Sequence, residues 1–257
     1  MLRNKRLMVA LLLVTALFAS LPAVSAQEER TVLNVNWATE PPTLDPSIGT
    51  DTTSIQIVLE LFPGLTRQNE LTGENQAGMS TWTTSEDGLV LTFSIMEGIP
   101  WVKYNPETGA VEEVTDEAGN VRYLTANDYA YGMLRSLDPN TAGDYAYVLA
   151  YAVDGGEAYN GANPDELSAE EMQALRDAVG INVIDDYTLE VHVPFKAAFM
   201  DSILGMWMAT AEPQWLIEEY GDFWTEPENI ESYGPFVLKE WFHDDSLTIM
   251  ANPFWPG

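Results

Sequence analysis

The chain of 257 residues contains no cysteine, and this absence restricts how its fold can be held together. Disulfides, thiolate zinc sites, iron–sulfur clusters and a thiol nucleophile are all excluded. The fold must therefore rest on buried apolar side chains. The 46% of hydrophobic residues, which include 8 Trp, 11 Tyr and 9 Phe, are enough for a packed core in one or two domains. A formal net charge of −29 also argues against nucleic acid as a partner, because phosphate groups would be repelled.

The first 26 residues have the pattern of a secretory signal peptide. Basic residues open the chain, an apolar run covers residues 7–18, and Val24-Ser25-Ala26 supplies the small residues of a cleavage site. A short membrane anchor is the alternative, although the run is too short to span a bilayer. We therefore expect residues 1–26 to direct export. We expect the rest to work in the periplasm or another extracytoplasmic space, without a lipid-modified cysteine and without insertion into the membrane.

The remaining sequence predicts a mixture of helices and strands. Helix caps are expected at Asp51 or Thr52, at Thr125 and at Ser168, and the Asp87-Gly88 pair predicts a hairpin turn. The first helix should bury Ile55, Val58, Leu59 and Phe62, and a helix over 197–207 should place Phe199, Ile203 and Trp207 on one face. The predicted strands are 31–37, 81–85, 89–95, 181–184, 187–193, 236–241 and 247–251, a hairpin or loop is predicted for 105–124, and the predicted helices begin near 52, 125, 168, 197 and 214.

Residues with catalytic or metal-binding chemistry are scarce. His192 lies on the predicted solvent face of a strand, and His243 with Asp244 and Asp245 forms either a hairpin tip or, with lower weight, a hydrolytic dyad or weak metal site. An acidic loop over 112–117 lacks the ligand spacing of a calcium loop. Met200, Met206 and Met208 are more typical of core packing than of a metal site. We therefore predict no enzyme activity, no cofactor and no metal.

A tyrosine-rich stretch at residues 144–151 favours binding. Tyrosine offers a flat apolar face with a polar tip, which suits a cleft that holds varied ligands. Packing on a helix face is the alternative for each of these tyrosines.

Six stretches follow one another in order along almost the whole chain after residue 26. They are residues 40–46 with 61–65, 82–93, 124–131, 138–142 with Tyr145 and Leu149, 180–191, and 220–224 with 234–241 and 252–255. Together they resemble family 5 of the extracytoplasmic solute-binding proteins, large receptors that serve ABC importers of oligopeptides, dipeptides, nickel chelates or sugars. The fourth and sixth stretches most resemble the oligopeptide-binding branch.

The resemblance implies an α+β fold of the type II periplasmic-binding-protein kind, in its large peptide-binding class. It places residues 27–62 and 214–257 in part of lobe I, and residues 63–213 in an extra domain inserted in that lobe. Lobe II is absent, because relatives continue for a comparable length beyond the last stretch. We therefore expect the chain to be the N-terminal portion of a longer receptor and, alone, to bind peptide weakly or not at all.

The resemblance also implies ligand-binding residues. Gly49, Thr50, Asp51 and Thr52 match a segment whose backbone pairs with the peptide, and Tyr145 matches a ligand-facing tyrosine of the extra domain. Thr50 departs from an acidic residue of the oligopeptide branch, and Asp51 is the candidate substitute. Two further departures are an insertion over residues 102–124 and Tyr233 in place of the usual asparagine.

The expected function is the solute-binding component of an ABC importer that carries oligopeptides. The expected partners are the peptide or another small solute and the permease subunits. An oligosaccharide or a metal chelate is the alternative cargo within the family. A secreted hydrolase domain and a sensor or interaction module are the alternatives from other classes. The excess of acidic residues predicts that the fold becomes more stable as salt screens the repulsion between negative charges. The same composition is compatible with a saline habitat.

Overall fold

The computed structural model describes residues 31–37 and 39–256, so the predicted signal peptide over 1–26 lies outside the described residues. The helices are α1 (Thr52–Leu61), α2 (Ala126–Leu137), α3 (Ala146–Ala152), α4 (Gly156–Asn160), α5 (Ala169–Asp177), α6 (Met200–Ile203) and α7 (Gln214–Tyr220), with 3₁₀ helices at Trp207–Ala209 and Gly221–Phe223. The strands are β1 (Thr66–Gln68), β2 (Asn75–Ala77), β3 (Ser80–Thr84), β4 (Val90–Ile95), β5 (Val102–Asn105), β6 (Ala110–Glu113), β7 (Ile181–Asp185), β8 (Thr188–His192), β9 (Phe236–Phe242) and β10 (Ser246–Ala251). The predicted mixture of helices and strands is confirmed.

The largest sheet is antiparallel, with the strand order β3-β4-β8-β7. Phe93 pairs with Leu189 across β4 and β8, and both side chains are fully buried. The predicted hairpin turn between β3 and β4 is confirmed. Gly88 has a φ of +77°, a left-handed conformation that favours glycine. The alternation of apolar residues along β8 buries Leu189 and Val191 and leaves His192 half-buried on the other face, as predicted.

Three smaller antiparallel pairs complete the strands: β1 with β2, β5 with β6, and β9 with β10. The hairpin β5–β6 lies within the predicted insertion over 102–124. Its base is anchored, since Val102 and Ser232 exchange two backbone hydrogen bonds of 2.7 and 2.9 Å. Val102, Val111 and Val237 form a small apolar cluster between this hairpin and β9.

Four of the five predicted helices begin within one residue of the predicted position, at Thr52, Ala126, Ala169 and Gln214. The predicted buried face of α1 is right at Val58 and Phe62 but wrong at Leu59. Asp51 caps α1, and the buried face of α1 is formed by Ser54, Ile57, Val58 and Leu61, whereas Leu59 is 38% exposed. The capping boxes at Thr125 and Ser168 are present.

The predicted helix over 197–207 is wrong, because only the four residues of α6 are α-helical there. Trp207 is buried but Phe199 is 47% exposed, so the two do not share a face as predicted. Thr66 Oγ1 donates to the carbonyl of Asp201 at 2.8 Å, and the Trp207 indole donates to Gly49. These tertiary hydrogen bonds outweigh the local preference for a longer helix.

The described residues divide into two units, 31–36 and 37–256. Residues 31–36 contain no helix or strand, so the predicted strand 31–37 is wrong. A strand is held by hydrogen bonds to a neighbouring strand, and no sheet of the described residues includes this segment. An alternating pattern alone supplies no such neighbour.

Aromatic rings occupy the centre of the core in the unit 37–256. Phe62, Trp101, Tyr129, Trp224 and Tyr233 are fully buried, and the Trp101 and Tyr233 ring centroids lie 4.9 Å apart, edge to face. The Tyr233 hydroxyl donates to the Pro63 carbonyl at 2.9 Å and accepts the Ala211 N–H at 3.2 Å. The Tyr233 hydroxyl therefore joins the loops that contain Pro63 and Ala211. The resemblance implies an asparagine at this position.

Candidate functional site

A tight turn at residues 45–48 presents the segment Gly49–Thr52. The Asp45 carboxylate accepts the Ser47 N–H at 3.0 Å, and the Asp45 carbonyl accepts the Gly49 N–H at 3.0 Å. Thr50 is exposed beyond this turn. Its backbone N–H and C=O make no hydrogen bond to any described residue. Thr50 therefore offers the kind of unpaired main chain that an extended ligand can join.

Asp51 has a structural duty in the same segment. Its Oδ1 accepts the N–H groups of Thr53 and Ser54, both at 3.0 Å, and so caps α1. Partial burial raises the pKa of Asp51, but the hydrogen bonds from Ser54 and Thr53 outweigh it, so the pKa lies below its ordinary value. The second oxygen, Oδ2, is buried and has no partner among the described residues. Asp51 is thus a charged cap at neutral pH, and Thr52 is the first residue of α1.

Trp207 connects this segment to Tyr145. Its indole N–H donates to the Gly49 carbonyl at 2.9 Å, and its ring meets the Tyr145 ring edge to face at 5.2 Å. Gly49 therefore uses both its N–H and its C=O within the protein, whereas neither backbone group of Thr50 has a partner among the described residues. The predicted site residues Gly49 and Tyr145 therefore both contact the indole of Trp207.

A glycine allows the two loops to approach each other. A Cβ added to Gly143 would lie 2.2 Å from the Ser47 carbonyl oxygen, so only glycine fits without a backbone shift. The loop before α3 and the turn at 45–48 are consequently in direct backbone contact. This contact positions Tyr145, which is half-buried, beside the segment Gly49–Thr52.

A buried ionic network lies beneath the turn. Arg135 donates to both oxygens of Asp45 at 2.8 and 2.6 Å and to Glu212 at 2.8 Å. Ser47 Oγ donates to Glu212 at 2.6 Å, and the Trp224 indole donates to Asp45 at 3.0 Å. We name Asp45, Arg135 and Glu212 the buried triad, and it fixes the turn from below.

The buried triad places two carboxylates against one guanidinium. Burial raises the pKa of Glu212 to about 7, because the attraction of Arg135 does not compensate for desolvation and for the nearby Asp45. Burial lowers the pKa of Arg135, but Glu212 and Asp45 outweigh it and hold the pKa above its ordinary value. Arg135 is therefore always charged, while Glu212 can take up a proton near neutral pH.

Sequence reasoning missed Trp207 and the buried triad. Trp207 was expected only on a helix face, and Arg135 and Glu212 were given no role. The signal for Asp45 was its place in the Pro-rich stretch 40–46. The contacts themselves join residues 77 to 165 positions apart, so local patterns do not indicate them.

The other candidates from the sequence lie elsewhere. His243 sits at the tip of the β9–β10 hairpin, where its two ring nitrogens lie 3.2 Å from Glu40 and 3.2 Å from Glu226. The two carboxylates are on opposite edges of the ring, and Asp244 occupies a turn position with a φ of +62°. Across residues 31–37 and 39–256, no group of three or more His, Asp or Glu side chains is arranged to hold a metal ion.

Two open cavities are separate from the segment Gly49–Thr52. One of about 430 Å³ lies beside α5 and is lined by Asp138, Tyr159 and Arg176, among others. The other, of about 220 Å³, lies beside Gly88 and Lys196. None of the helices in the described part of the chain is both long and apolar enough to cross a membrane.

Comparisons with known proteins give consistent results. Residues 77–257 match the profile described as bacterial extracellular solute-binding proteins, family 5 Middle. The chain is 29% identical over 241 residues to the periplasmic oligopeptide-binding protein OppA of Escherichia coli K12, which covers 93% of this chain and 39% of the relative. It is 29% identical over 256 residues to the probable deoxycholate-binding periplasmic protein YgiS of the same organism, with 98% and 42% covered.

A solved structure supports the same fold. The substrate-binding domain of an oligopeptide ABC transporter from Bacillus anthracis superposes with a TM-score of 0.69 and 25% identity, covering 84% of this chain and 37% of that chain. The chain spans about two fifths of the length of the curated relatives it matches.

Proposed function

Because the chain belongs to family 5 of the bacterial extracellular solute-binding proteins, we propose that it forms part of the solute-binding component of an ABC importer, with oligopeptides as its cargo. The observation that carries this proposal is the open backbone of Thr50 beside Tyr145. Hydrogen bonds to a peptide main chain do not depend on side chains, so one exposed backbone position suits cargo of varied sequence. Relatives named for oligopeptide binding favour this cargo over sugars and chelates.

In this proposal the chain divides as the sequence predicts. Residues 27–62 and 214–257 form part of lobe I, and residues 63–213 form the extra domain. The buried triad would then join lobe I, through Asp45, to the extra domain, through Arg135 and Glu212. Closure of the two lobes on a peptide would remove water from it and create the surface that the permease binds.

Export belongs to the same proposal. Two relatives are named as periplasmic proteins, and we propose that residues 1–26 direct this chain to the same kind of compartment. We also propose that the protein binds its cargo without chemical change, since its relatives are named as binding proteins.

The first test is isothermal titration of the full-length protein. Four ligands are titrated separately: a mixture of short peptides, maltotriose, a nickel–histidine chelate, and deoxycholate. We expect heat with the peptides, which mass spectrometry then recovers intact. Heat of binding with one of the other ligands and none with peptides would contradict the proposed oligopeptide cargo. Recovery of cleaved peptides would contradict the proposal that the protein binds its cargo without chemical change.

The second test links binding to the site. Trp207→Phe removes the hydrogen bond to Gly49 and leaves a buried carbonyl without its donor. We expect the affinity for peptides to fall roughly tenfold, which corresponds to about 1.4 kcal/mol. The control is Trp82→Phe, because the Trp82 indole N–H donates to no described residue. Equal affinities for the two variants would contradict this location of the site.

A further inference from the structure

Helix α3 exposes two tyrosines one turn apart. Tyr147 is 64% exposed and Tyr151 is 44% exposed, while Ala146, Leu149 and Ala150 of the same helix face the core. Residues four positions apart lie on the same helix face. The described residues provide no hydrogen-bond partner for either hydroxyl group. Two large rings on one solvent face of a short helix form an apolar surface that stays open to solvent.

Ring contacts connect Tyr147 to the candidate site. Tyr147 stacks on Tyr145 with centroids 6.2 Å apart and an angle of 25°. Tyr145 contacts Trp207, which binds Gly49. At the far end Tyr151 meets Phe195 edge to face at 5.1 Å. We name Trp207, Tyr145, Tyr147, Tyr151 and Phe195 the aromatic track.

The spacing of the track matches an extended peptide. Tyr147 and Tyr151 are separated by four helical residues, a rise of about 6 Å. Side chains on one side of an extended chain repeat every two residues, about 6.6 to 6.8 Å. A peptide held at Thr50 and running along α3 would thus place alternate side chains over successive rings.

The chemistry of the track selects uncharged side chains. Its five members carry no charge, and the carboxylate of Asp144, which is exposed beside Tyr145, would repel acidic side chains. Rings of tyrosine and phenylalanine pack best against other aromatic rings, with a gain of roughly 0.5–1.5 kcal/mol per pair beyond the area buried. We propose, on the basis of the function proposed above, that the aromatic track binds bulky apolar side chains of the peptide, with aromatic ones preferred.

The experiment uses penta-alanine and the same peptide with one or two phenylalanines at alternate positions. Calorimetry of the complete gene product should show affinity about tenfold higher for the peptide with one phenylalanine than for penta-alanine, and higher again with two. In the double variant Tyr147→Ala and Tyr151→Ala, this preference should fall to about twofold or less. Tyr123→Ala is the matched control, since Tyr123 is 43% exposed outside the track. It should keep the preference.

Three results would overturn the inference and leave the proposed function intact. The first is a wild-type protein that binds all three peptides equally, and the second is a double variant that keeps the preference for phenylalanine. The third is a double variant that changes only the mass in solution, which would show that a second copy covers the track. If no peptide binds at all, the proposed cargo fails and the inference fails with it.

Discussion

Arg135 is the residue on which the local structure of the site depends most. Its guanidinium binds Asp45 and Glu212, and the side chains of these two acids are only 6% and 1% exposed. Without the cation, two carboxylates would remain buried and unpaired, which is far more costly than the loss of a surface ion pair. The turn that presents Gly49 and Thr50 is attached to this arrangement through Ser47.

We expect Arg135→Met to lower the free energy of unfolding by about 3–5 kcal/mol at about pH 8, where both carboxylates are ionised. The loss should be smaller at about pH 5.5, because the raised pKa of Glu212 allows it to take up a proton and remove one of the buried charges. Urea unfolding measures both values. Arg67→Met is the control at an exposed position and should cost less than about 0.5 kcal/mol. A loss as small as the control's would contradict the role of the buried triad.

Among the elements, the β9–β10 hairpin is connected at its tip to Glu40 and Glu226 through His243. We name this pair of contacts the histidine clamp. His243 Nδ1 faces Glu40 and Nε2 faces Glu226, and the Trp241 indole donates to the same Glu40 oxygen at 2.7 Å. Both imidazole nitrogens can donate only when the ring is protonated. The hydrogen bond to Glu226, and then the contacts with Glu40, raise the pKa of His243 above its ordinary value.

The histidine clamp should make the stability of the fold depend on pH. A histidine whose pKa is raised in the folded state stabilises the fold fully below its unfolded pKa of about 6.5, and this contribution is lost as the pH rises through the folded pKa. We therefore expect His243→Asn to lower the melting temperature at about pH 6 and to have little effect at about pH 9.

The control for the clamp is His192→Asn, in the middle of the β4–β8 pair. This variant also replaces a histidine by asparagine, but at a position away from Glu40 and Glu226. Differential scanning calorimetry between about pH 6 and pH 9 measures the melting temperatures. A decrease caused by His243→Asn that is the same at every pH would contradict the role of the histidine clamp.

The sequence predicts local features of the elements well and long-range contacts poorly. The cap at Asp51, the capping boxes at Thr125 and Ser168 and the turn at Gly88 depend on residues within a few positions, and all four are confirmed. The strand prediction for residues 31–37 was wrong because a strand also requires a neighbouring strand to pair with. Trp207 could not be placed because its hydrogen bond reaches Gly49 across 158 positions.

At the scale of the whole molecule, one apolar core runs through both predicted domains. Leu44, Ile57 and Leu238 belong to the same buried cluster as Phe93 and Leu189. The resemblance to the solute-binding family is confirmed, and so is the partial fold, whereas the ligand-binding residues and the domain boundaries stay predictions.

The whole molecule also carries a large excess of negative charge, −29 in total. Self-repulsion of this kind is strongest when the screening length is long, about 30 Å at 0.01 M salt, and weak at about 3 Å in 1 M salt. We expect the melting temperature to rise between these two concentrations of sodium chloride.

A variant with Glu107, Glu113, Glu117 and Glu157 changed to glutamine should show a smaller rise, because these four carboxylates are exposed and contribute to the repulsion. A melting temperature that does not change with salt, or the same rise in both proteins, would show that charge is not the cause.

The central claim is that the open backbone at Thr50 and the ring of Tyr145 face the bound peptide. Hydrogen–deuterium exchange of the complete gene product, with and without a peptide that gives calorimetric heat, tests this most directly. We predict slower exchange on binding in residues 48–52 and 143–151, and no change at the β5–β6 turn over 106–109. Unchanged exchange in the first two segments, in a sample saturated with peptide, would contradict the account.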